Sequence, residues 1–175
     1  LQEEHFQGAD MPTIDPSLRP GKVTKWGEWV KSKPLVVNGA ETRWRILGKY
    51  DLVATNEDGT IGLIDCKVSD SQRDSGQFYS PQLEAYAFSL ENPAAGKAQN
   101  VASIGLLVWK PTTAIGTSAN DYGFGVFQKY VPVERDQANF LKVIGEFINV
   151  LEGELPDAGP ECQTCNYLVA RNALD

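Results

Sequence analysis

Two runs rich in apolar and β-branched residues flank a short polar turn in the first half of the chain. The runs are TRWRILGKYDLVAT at 42–55 and TIGLIDCKVS at 60–69, with the turn NEDG at 56–59 between them. An Asp-Gly pair between two such runs, here Asp58 and Gly59, is a strong hairpin signal. The pattern predicts two paired strands, and the second ends in an acid and a lysine, Asp65 and Lys67.

The spacing of apolar residues becomes helical after this hairpin. In QFYSPQLEAYAFSLE at 77–91 the apolar residues recur at intervals of three, one and three. They are Leu83, Tyr86, Ala87 and Leu90. Ser80 followed by Pro81 is typical of a helix start, and Glu84 falls near the capping-box position. We therefore expect the helix to begin at Ser80.

The rest of the chain predicts two further strands and a second long helix. The strands are VASIGLLVWK at 101–110 and YGFGVFQKYVPV at 122–133, with a flexible loop between them, and the helix starts at Asp136. Strands and helices in this order predict an α/β (α+β) fold with a central mixed β-sheet flanked by helices. We expect this domain to span residues 42–175.

Residues 1–41 are rich in turn formers, so we expect a surface arm that is a fragment of a longer N-terminal region. Within it, KWGEWVKS at 25–32 predicts either a short helix or an extended segment.

Composition narrows the class of protein. The 175 residues are 42% hydrophobic and 22% charged, which fits one globular domain, and no apolar run approaches the ~20 residues that span a bilayer. Three cysteines without the spacing of a disulfide framework predict a reducing compartment, the cytoplasm. A net charge of -7 argues against a general nucleic-acid coat but not against a nuclease, since a site built from carboxylates is itself acidic.

The end of the second strand carries candidate chemistry. Side chains alternate along a strand, so Asp65 and Lys67 point to one face and Cys66 to the core. Asp51, at the end of LGKYD, is expected to face the same cleft. Two carboxylates and the carbonyl of Cys66 suit Mg²⁺ or Mn²⁺. Such a metal polarises a phosphoryl oxygen and activates water, while Lys67 orients or deprotonates that water, and this inventory predicts phosphodiester hydrolysis.

These residues resemble the motifs of the PD-(D/E)XK nuclease superfamily. Asp51 lies in GKYD, Asp65 and Lys67 in IDCK, and Gln82 and Tyr86 in QLEAY. The last element is similar to the RecB-like branch, which includes the nuclease domains of helicase-nucleases and the CRISPR-associated exonucleases. The resemblance covers roughly residues 42–91 and implies a restriction-endonuclease-like core.

The resemblance also implies roles and partners. Asp51 and Asp65 would bind the metal, Lys67 would assist the attacking water, and Gln82 and Tyr86 would contact DNA or steady the site. The implied activity is that of a Mg²⁺- or Mn²⁺-dependent deoxyribonuclease, an exonuclease rather than an endonuclease, in DNA repair, recombination or phage or defence processing. DNA and a helicase or recombination protein are the expected partners. The alternatives are a noncatalytic DNA-binding or assembly module with the same fold, and a metal-dependent enzyme that acts on RNA or a nucleotide.

The chain departs from the RecB-like pattern in two places. An upstream His or Glu usually completes the metal shell there, and only His5 and Glu28 are candidates. Iron-sulfur members also end in C-x-x-C, a tyrosine and a last cysteine. Parts of that ending are present in this chain, as Cys162, Cys165, Tyr167 and, in place of the last cysteine, Arg171. Because a [4Fe-4S] cluster normally needs four thiolates, we expect no iron-sulfur cluster.

A basic strip is also predicted. Arg43, Arg45 and Lys49 have the parity of Asp51 along the first predicted strand. They would form a local positive surface for a DNA backbone, although solubility explains them nearly as well.

Overall fold

The structure is a computed structural model that describes residues 2–69, 76–118, 121–154 and 156–173 of the chain. The chain forms two compact units, Leu1–Phe140 and Leu141–Asp175. The helices of the described residues are α1 (Gln2–His5), α2 (Met11–Ile14), α3 (Gly76–Glu91), α4 (Gln137–Glu152) and α5 (Gln163–Asn172). None of them is long and apolar enough to cross a bilayer.

The strands of the described residues form one large sheet and two small ones. They are β1 (Gly21–Trp26), β2 (Trp29–Lys31), β3 (Val36–Val37), β4 (Ala40–Glu41), β5 (Leu47–Lys49), β6 (Leu52–Asn56), β7 (Ile61–Val68), β8 (Val101–Ser118) and β9 (Asp121–Val133). The large sheet has the order β1-β6-β7-β8-β9, and β2-β5 and β3-β4 form antiparallel pairs of their own. Only the β7-β8 pair of the large sheet is parallel, so the prediction of a mixed sheet flanked by helices is confirmed.

The predicted hairpin is the antiparallel pair β6-β7. Its register places Leu52 opposite Ile64, and Gly59 in the turn has a φ of +79°, which glycine adopts without strain. The first predicted strand, however, is broken. β5 pairs with β2, whereas β6 pairs with β1 and β7. The chain leaves the strand at Tyr50, whose side chain is buried in the core, and bends at Asp51. The parity argument for a continuous strand over 42–55 is therefore wrong.

Helix α3 crosses over between the parallel strands β7 and β8, as a parallel connection requires. It begins at Gly76, upstream of the predicted start at Ser80, and Pro81 lies inside it. Pro81 lies just after the first turn of the helix. Because proline has no backbone N–H, it removes one hydrogen bond, and this loss falls near the start of the helix. Glu84 is not a capping residue but is buried against Arg135. The helix predicted from Asp136 is confirmed as α4, and the Asp136 carboxylate accepts the Asn139 N–H at 3.0 Å.

Strands β8 and β9 form a longer hairpin than expected. The segment after residue 110 was predicted as a flexible loop, but β8 continues to Ser118 and pairs with β9, for example Pro111 with Val126. Residues 119–120 lie outside the described chain. The described side chains of 111–116 are exposed, so this extension is held by backbone pairing and leaves no burial pattern in the sequence.

The large sheet has a hydrophobic cluster on each face. Cluster 1 joins α3 to β6, β7 and β8 and includes Val53, Leu63, Leu83 and Leu106. Cluster 2 lies on the other face and is completed by the N-terminal segment. Its N-terminal members are Phe6, Met11, Ile14, Leu18 and Val23.

The N-terminal residues are therefore part of the core rather than a surface arm. Strand β1 is an edge strand of the large sheet and pairs with β6. The segment at 25–32 is extended, because β1 runs to Trp26 and β2 begins at Trp29. The two compact units divide within α4 and not between residues 41 and 42. Apolar residues scattered among turn formers gave no periodicity from which this packing was predictable.

Candidate active site

Asp65 and Lys67 lie side by side on the α3 face of β7, as their parity predicted. Asp65 is 3% exposed, and its Oδ2 atom lies 2.5 Å from the ammonium nitrogen of Lys67. Among the described residues, no group gives this buried oxygen a directional hydrogen bond. A buried carboxylate oxygen that lacks such a bond is costly unless a cation balances it.

Asp51 lies one residue before β6 and is brought next to this pair by the hairpin register. Leu52 pairs with Ile64, so one residue earlier in the first strand and one residue later in the second, Asp51 lies opposite Asp65. Opposite residues of an antiparallel pair point to the same face of the sheet. The Asp51 carboxylate accepts the backbone N–H of Cys66 at 2.6 Å. The Cys66 side chain packs against cluster 2, so only the backbone of Cys66 is available on the side of the carboxylates.

Gln82 and Tyr86 approach the same carboxylate from α3. The side-chain amide of Gln82 donates to Asp65 Oδ1 at 3.2 Å and to the Tyr86 hydroxyl at 2.9 Å. The structure therefore brings all five predicted site residues into one connected group at the ends of β6 and β7.

Two neighbours of this group were missed by sequence reasoning. The Lys67 ammonium lies 4.8 Å from the centroid of the Tyr79 ring, within the range of a cation–π contact. Gly48 in β5 leaves room for Tyr86, since a Cβ on Gly48 would lie 2.5 Å from a ring carbon of Tyr86. The spacing of Tyr79, Gln82 and Tyr86 is that of one helix face, but Tyr79 lies before the predicted helix start.

In the Asp65–Lys67 pair, burial and the charge of the partner shift each pKa in opposite directions. Burial raises the pKa of the Asp65 carboxyl, and the neighbouring Lys67 offsets this only in part. For Lys67, burial lowers the pKa, but the close contact with the charged Asp65 carboxylate, together with the charge of Asp51, outweighs it and leaves the pKa raised. Lys67 is therefore an ammonium at neutral pH.

Neither upstream candidate joins the two carboxylates. His5 is exposed, and its ring contacts Phe6, a member of cluster 2 on the other face of the sheet. The Glu28 carboxylate accepts the Tyr50 hydroxyl at 2.9 Å. Within the described ranges, no three His, Cys, Asp or Glu side chains are grouped closely enough to hold a metal ion.

The donor set nevertheless fits a hard divalent cation. Mg²⁺ is usually held in proteins by one or two carboxylates, with water and substrate phosphate completing its shell. Asp51 and Asp65 supply two carboxylates from neighbouring strands, and the buried Oδ2 atom of Asp65 lacks a directional hydrogen bond among the described residues. A cation at this position would satisfy that oxygen.

The cysteine pair of the second unit lies at the start of α5. Cys162 is the N-cap, its sulfur accepts the Cys165 N–H at 3.4 Å, and both are free thiols. This bond lowers the pKa of Cys162, and the neighbouring Cys162 raises that of Cys165. Tyr167 and Arg171 are exposed on the same helix. The absence of an iron-sulfur cluster stays a prediction.

The predicted basic strip is dispersed. Arg43 stacks on Trp44 with its guanidinium carbon 5.3 Å from the ring centroid, and Arg45 donates to the Ser32 carbonyl. Lys49 lies in β5 opposite Trp29 of β2. Arg43 and Arg45 lie outside the strands, so the common parity assumed for the three residues does not exist.

A family model identifies the superfamily to which the chain belongs. Residues 13–170 match the family model of the PD-(D/E)XK nuclease superfamily, and the chain belongs to that superfamily. No curated protein matches the chain. Among solved structures, the chain is similar to "Crystal structure of SSO0001", with 17% sequence identity and a TM-score of 0.47. The match covers 83% of this chain and 58% of that one, so the chain spans less than two thirds of that protein's length.

Proposed function

We propose that this chain is a metal-dependent deoxyribonuclease that hydrolyses phosphodiester bonds at the Asp51–Asp65–Lys67 site. The observation that carries the proposal is the buried Asp65 carboxylate, which contacts Lys67 and Gln82 and lies beside Asp51. A structural ion pair alone needs neither a second carboxylate nor an amide from a crossing helix. Two neighbouring carboxylates are a donor set that can hold Mg²⁺ against a substrate phosphate.

Each residue has a proposed role. Asp51, Asp65 and the Cys66 carbonyl hold Mg²⁺ or Mn²⁺, which when bound polarises a phosphoryl oxygen and lowers the pKa of a bound water. The Lys67 ammonium donates a hydrogen bond to the attacking water and stabilises negative charge on the phosphate. Gln82 keeps the Asp65 carboxylate in one orientation, and Tyr86 fixes the Gln82 amide through its hydroxyl.

The assignment to one branch of the superfamily rests on α3, the helix that carries Gln82 and Tyr86. We place the chain in the RecB-like branch because Gln82 and Tyr86 follow the D-x-K strand, and we expect an exonuclease that acts in DNA repair, recombination or phage or defence processing. A helicase or recombination partner would deliver the DNA. The cytoplasmic location follows from the cysteine content and not from the fold.

A cleavage assay with matched variants tests this proposal. End-labelled linear single- and double-stranded DNA, closed circular DNA and RNA are incubated with the protein in Mg²⁺, Mn²⁺ or EDTA. Asp65→Asn and Lys67→Gln preserve size and hydrogen bonding, and each should lower metal-dependent cleavage of DNA by about 100-fold or more. Lys129→Gln, an exposed lysine of β9, is the charge-matched control and should cleave like the parent.

The outcomes separate the proposal from its alternatives. Undiminished cleavage by Lys67→Gln would show that the activity lies elsewhere. DNA binding without cleavage in either metal would favour the noncatalytic DNA-binding module. Preferential cleavage of RNA would favour a metal-dependent enzyme that acts on RNA. Cleavage of linear but not circular DNA would support the exonuclease assignment.

A further inference from the structure

A cleft of about 610 Å³ lies within the first unit, and Tyr50, the residue before Asp51, is one of its lining residues. It is lined by residues of β1 and β2, by the chain between them, and by the loop that follows α3. A cavity of this volume is in the range of small-ligand sites, about 300–1,000 Å³. That is the scale of a few nucleotide units and is far below that of a double helix.

The charge of the lining is positive although the protein is acidic. Lys25, Lys31 and Lys97 line the cleft, and the acid among its lining residues is Glu28. Within the described part of the chain, none of these three ammonium groups forms an ion pair. The Glu28 carboxylate instead accepts the Tyr50 hydroxyl. In a chain of net charge -7, three lysines without ionic partners around one cavity favour a polyanionic ligand.

An aromatic side chain stands at the same cleft. Trp29 is 70% exposed and belongs to the lining. It lies in β2 opposite Lys49 of β5, so a further basic residue is its cross-strand neighbour. Lysines interleaved with an exposed aromatic ring are the arrangement that binds single strands, whose bases are free to stack, whereas bases inside a duplex are not.

The segments that line the cleft also hold the backbone of Asp51 in place. Tyr50 lines the cleft and immediately precedes Asp51, and the Gly27 N–H donates to the Asp51 carbonyl at 2.9 Å. Gly27 in turn precedes Glu28, another lining residue. A strand held in the cleft would therefore be held by the segments that position Asp51.

We propose that this cleft binds single-stranded DNA next to the proposed active site. Trp29 stacks on a base, and Lys25, Lys31 and Lys97 contact phosphates. The inference rests on the proposed function for its choice of DNA, and it names the substrate form as the single strand.

Binding measured without cleavage tests the cleft by itself. A fluorescein-labelled oligothymidine of about 12 nucleotides, within the usual site sizes of about 4–16, is titrated in EDTA and followed by anisotropy at several salt concentrations. Each phosphate contact to a single strand contributes about 0.7 to the slope of log K against log salt. The double variant Lys25→Gln/Lys97→Gln should therefore flatten the slope by about 1.4. The matched control Lys129→Gln/Lys142→Gln should leave the slope unchanged.

The aromatic contact has its own matched pair. Trp29→Ala should weaken binding of the single strand by about 5-fold or more, and Trp29→Phe should retain most of the affinity. The control is Phe124→Ala, an equally exposed aromatic residue in β9. Thermal unfolding of each variant confirms that it folds.

The results distinguish the cleft from the nuclease assignment. Unchanged slopes in Lys25→Gln/Lys97→Gln, equal losses in the control variants, or tighter binding of a duplex of the same length would each overturn the inference, whatever the cleavage assay shows. Binding through the cleft by a protein that cleaves nothing in Mg²⁺ or Mn²⁺ would support the inference and reject the proposed nuclease.

Discussion

Loss of Arg135, a residue outside the candidate active site, should strongly destabilise the first unit. Its side chain is 24% exposed, and its guanidinium donates to both oxygens of Glu84 at 3.0 and 3.1 Å. It also donates to both oxygens of Glu91 and to the Val101 carbonyl. Glu84 is 1% exposed, and its carboxylate also accepts the Asp136 N–H at 2.7 Å. Arg135 therefore links α3, β8 and the start of α4.

The substitution Arg135→Met preserves most of the side-chain volume and removes every donor. It leaves Glu84 buried without its cation, and breaking a buried pair from one side costs about 3–5 kcal/mol. At about 2–4 °C per kcal/mol for a chain of this length, the melting temperature should fall by about 6–20 °C. The control is Arg19→Met. Arg19 pairs with Asp58 at 3.3 Å with side chains 53% and 49% exposed, and an exposed pair contributes about 0–1 kcal/mol.

Urea unfolding followed by tryptophan fluorescence measures both changes in the free energy of unfolding. A second variant, Arg135→Met with Glu84→Gln, removes the buried charge as well and should recover part of the loss, because the uncompensated carboxylate is gone. A loss in Arg135→Met no larger than that in Arg19→Met would refute the reasoning. So would a double variant that is less stable than Arg135→Met alone.

Three further predictions follow from single contacts. In Gly48→Ala the new Cβ would lie 2.5 Å from the nearest atom of the Tyr86 ring, so the ring should be displaced and the free energy of unfolding should fall by about 1–3 kcal/mol. Adding Tyr86→Leu should restore stability. No loss of stability in Gly48→Ala would contradict the packing. Hydrogen bonds hold the pKa of Asp15 below its ordinary 3.8, so its stabilisation is present above that pH and is lost as the pH falls through the lower folded value. Melting temperatures of Asp15→Asn and the parent should therefore differ at neutral pH and converge in acid, and a constant difference would argue against the linkage. Cys162 should react with iodoacetamide faster than Cys165 because its pKa is lowered, and mass spectrometry that finds equal rates would disprove this.

Local pattern was sufficient for the elements whose signals lie close together in the chain. The Asp58–Gly59 turn predicted the β6-β7 hairpin, and strand parity placed Asp65 and Lys67 on one face with Cys66 on the other. The four-residue spacing of Gln82 and Tyr86 likewise placed both on one side of α3. These predictions held because alternation and helical spacing are fixed by backbone geometry, over distances of a few residues.

Tertiary structure decided what depends on residues far apart in the sequence. No local pattern shows that Gly48 packs against Tyr86, that Tyr79 contacts Lys67, or that Arg135 neutralises Glu84. The N-terminal residues joined the core for the same reason: single apolar side chains among turn formers carry no period, and their burial depends on the sheet face that cluster 2 covers. The chain therefore specified its hairpin, the main part of its two long helices and the residue types of its candidate site locally. Which side chains meet was decided only when the sheet and α3 packed together, because each contact depends on both partners being in place.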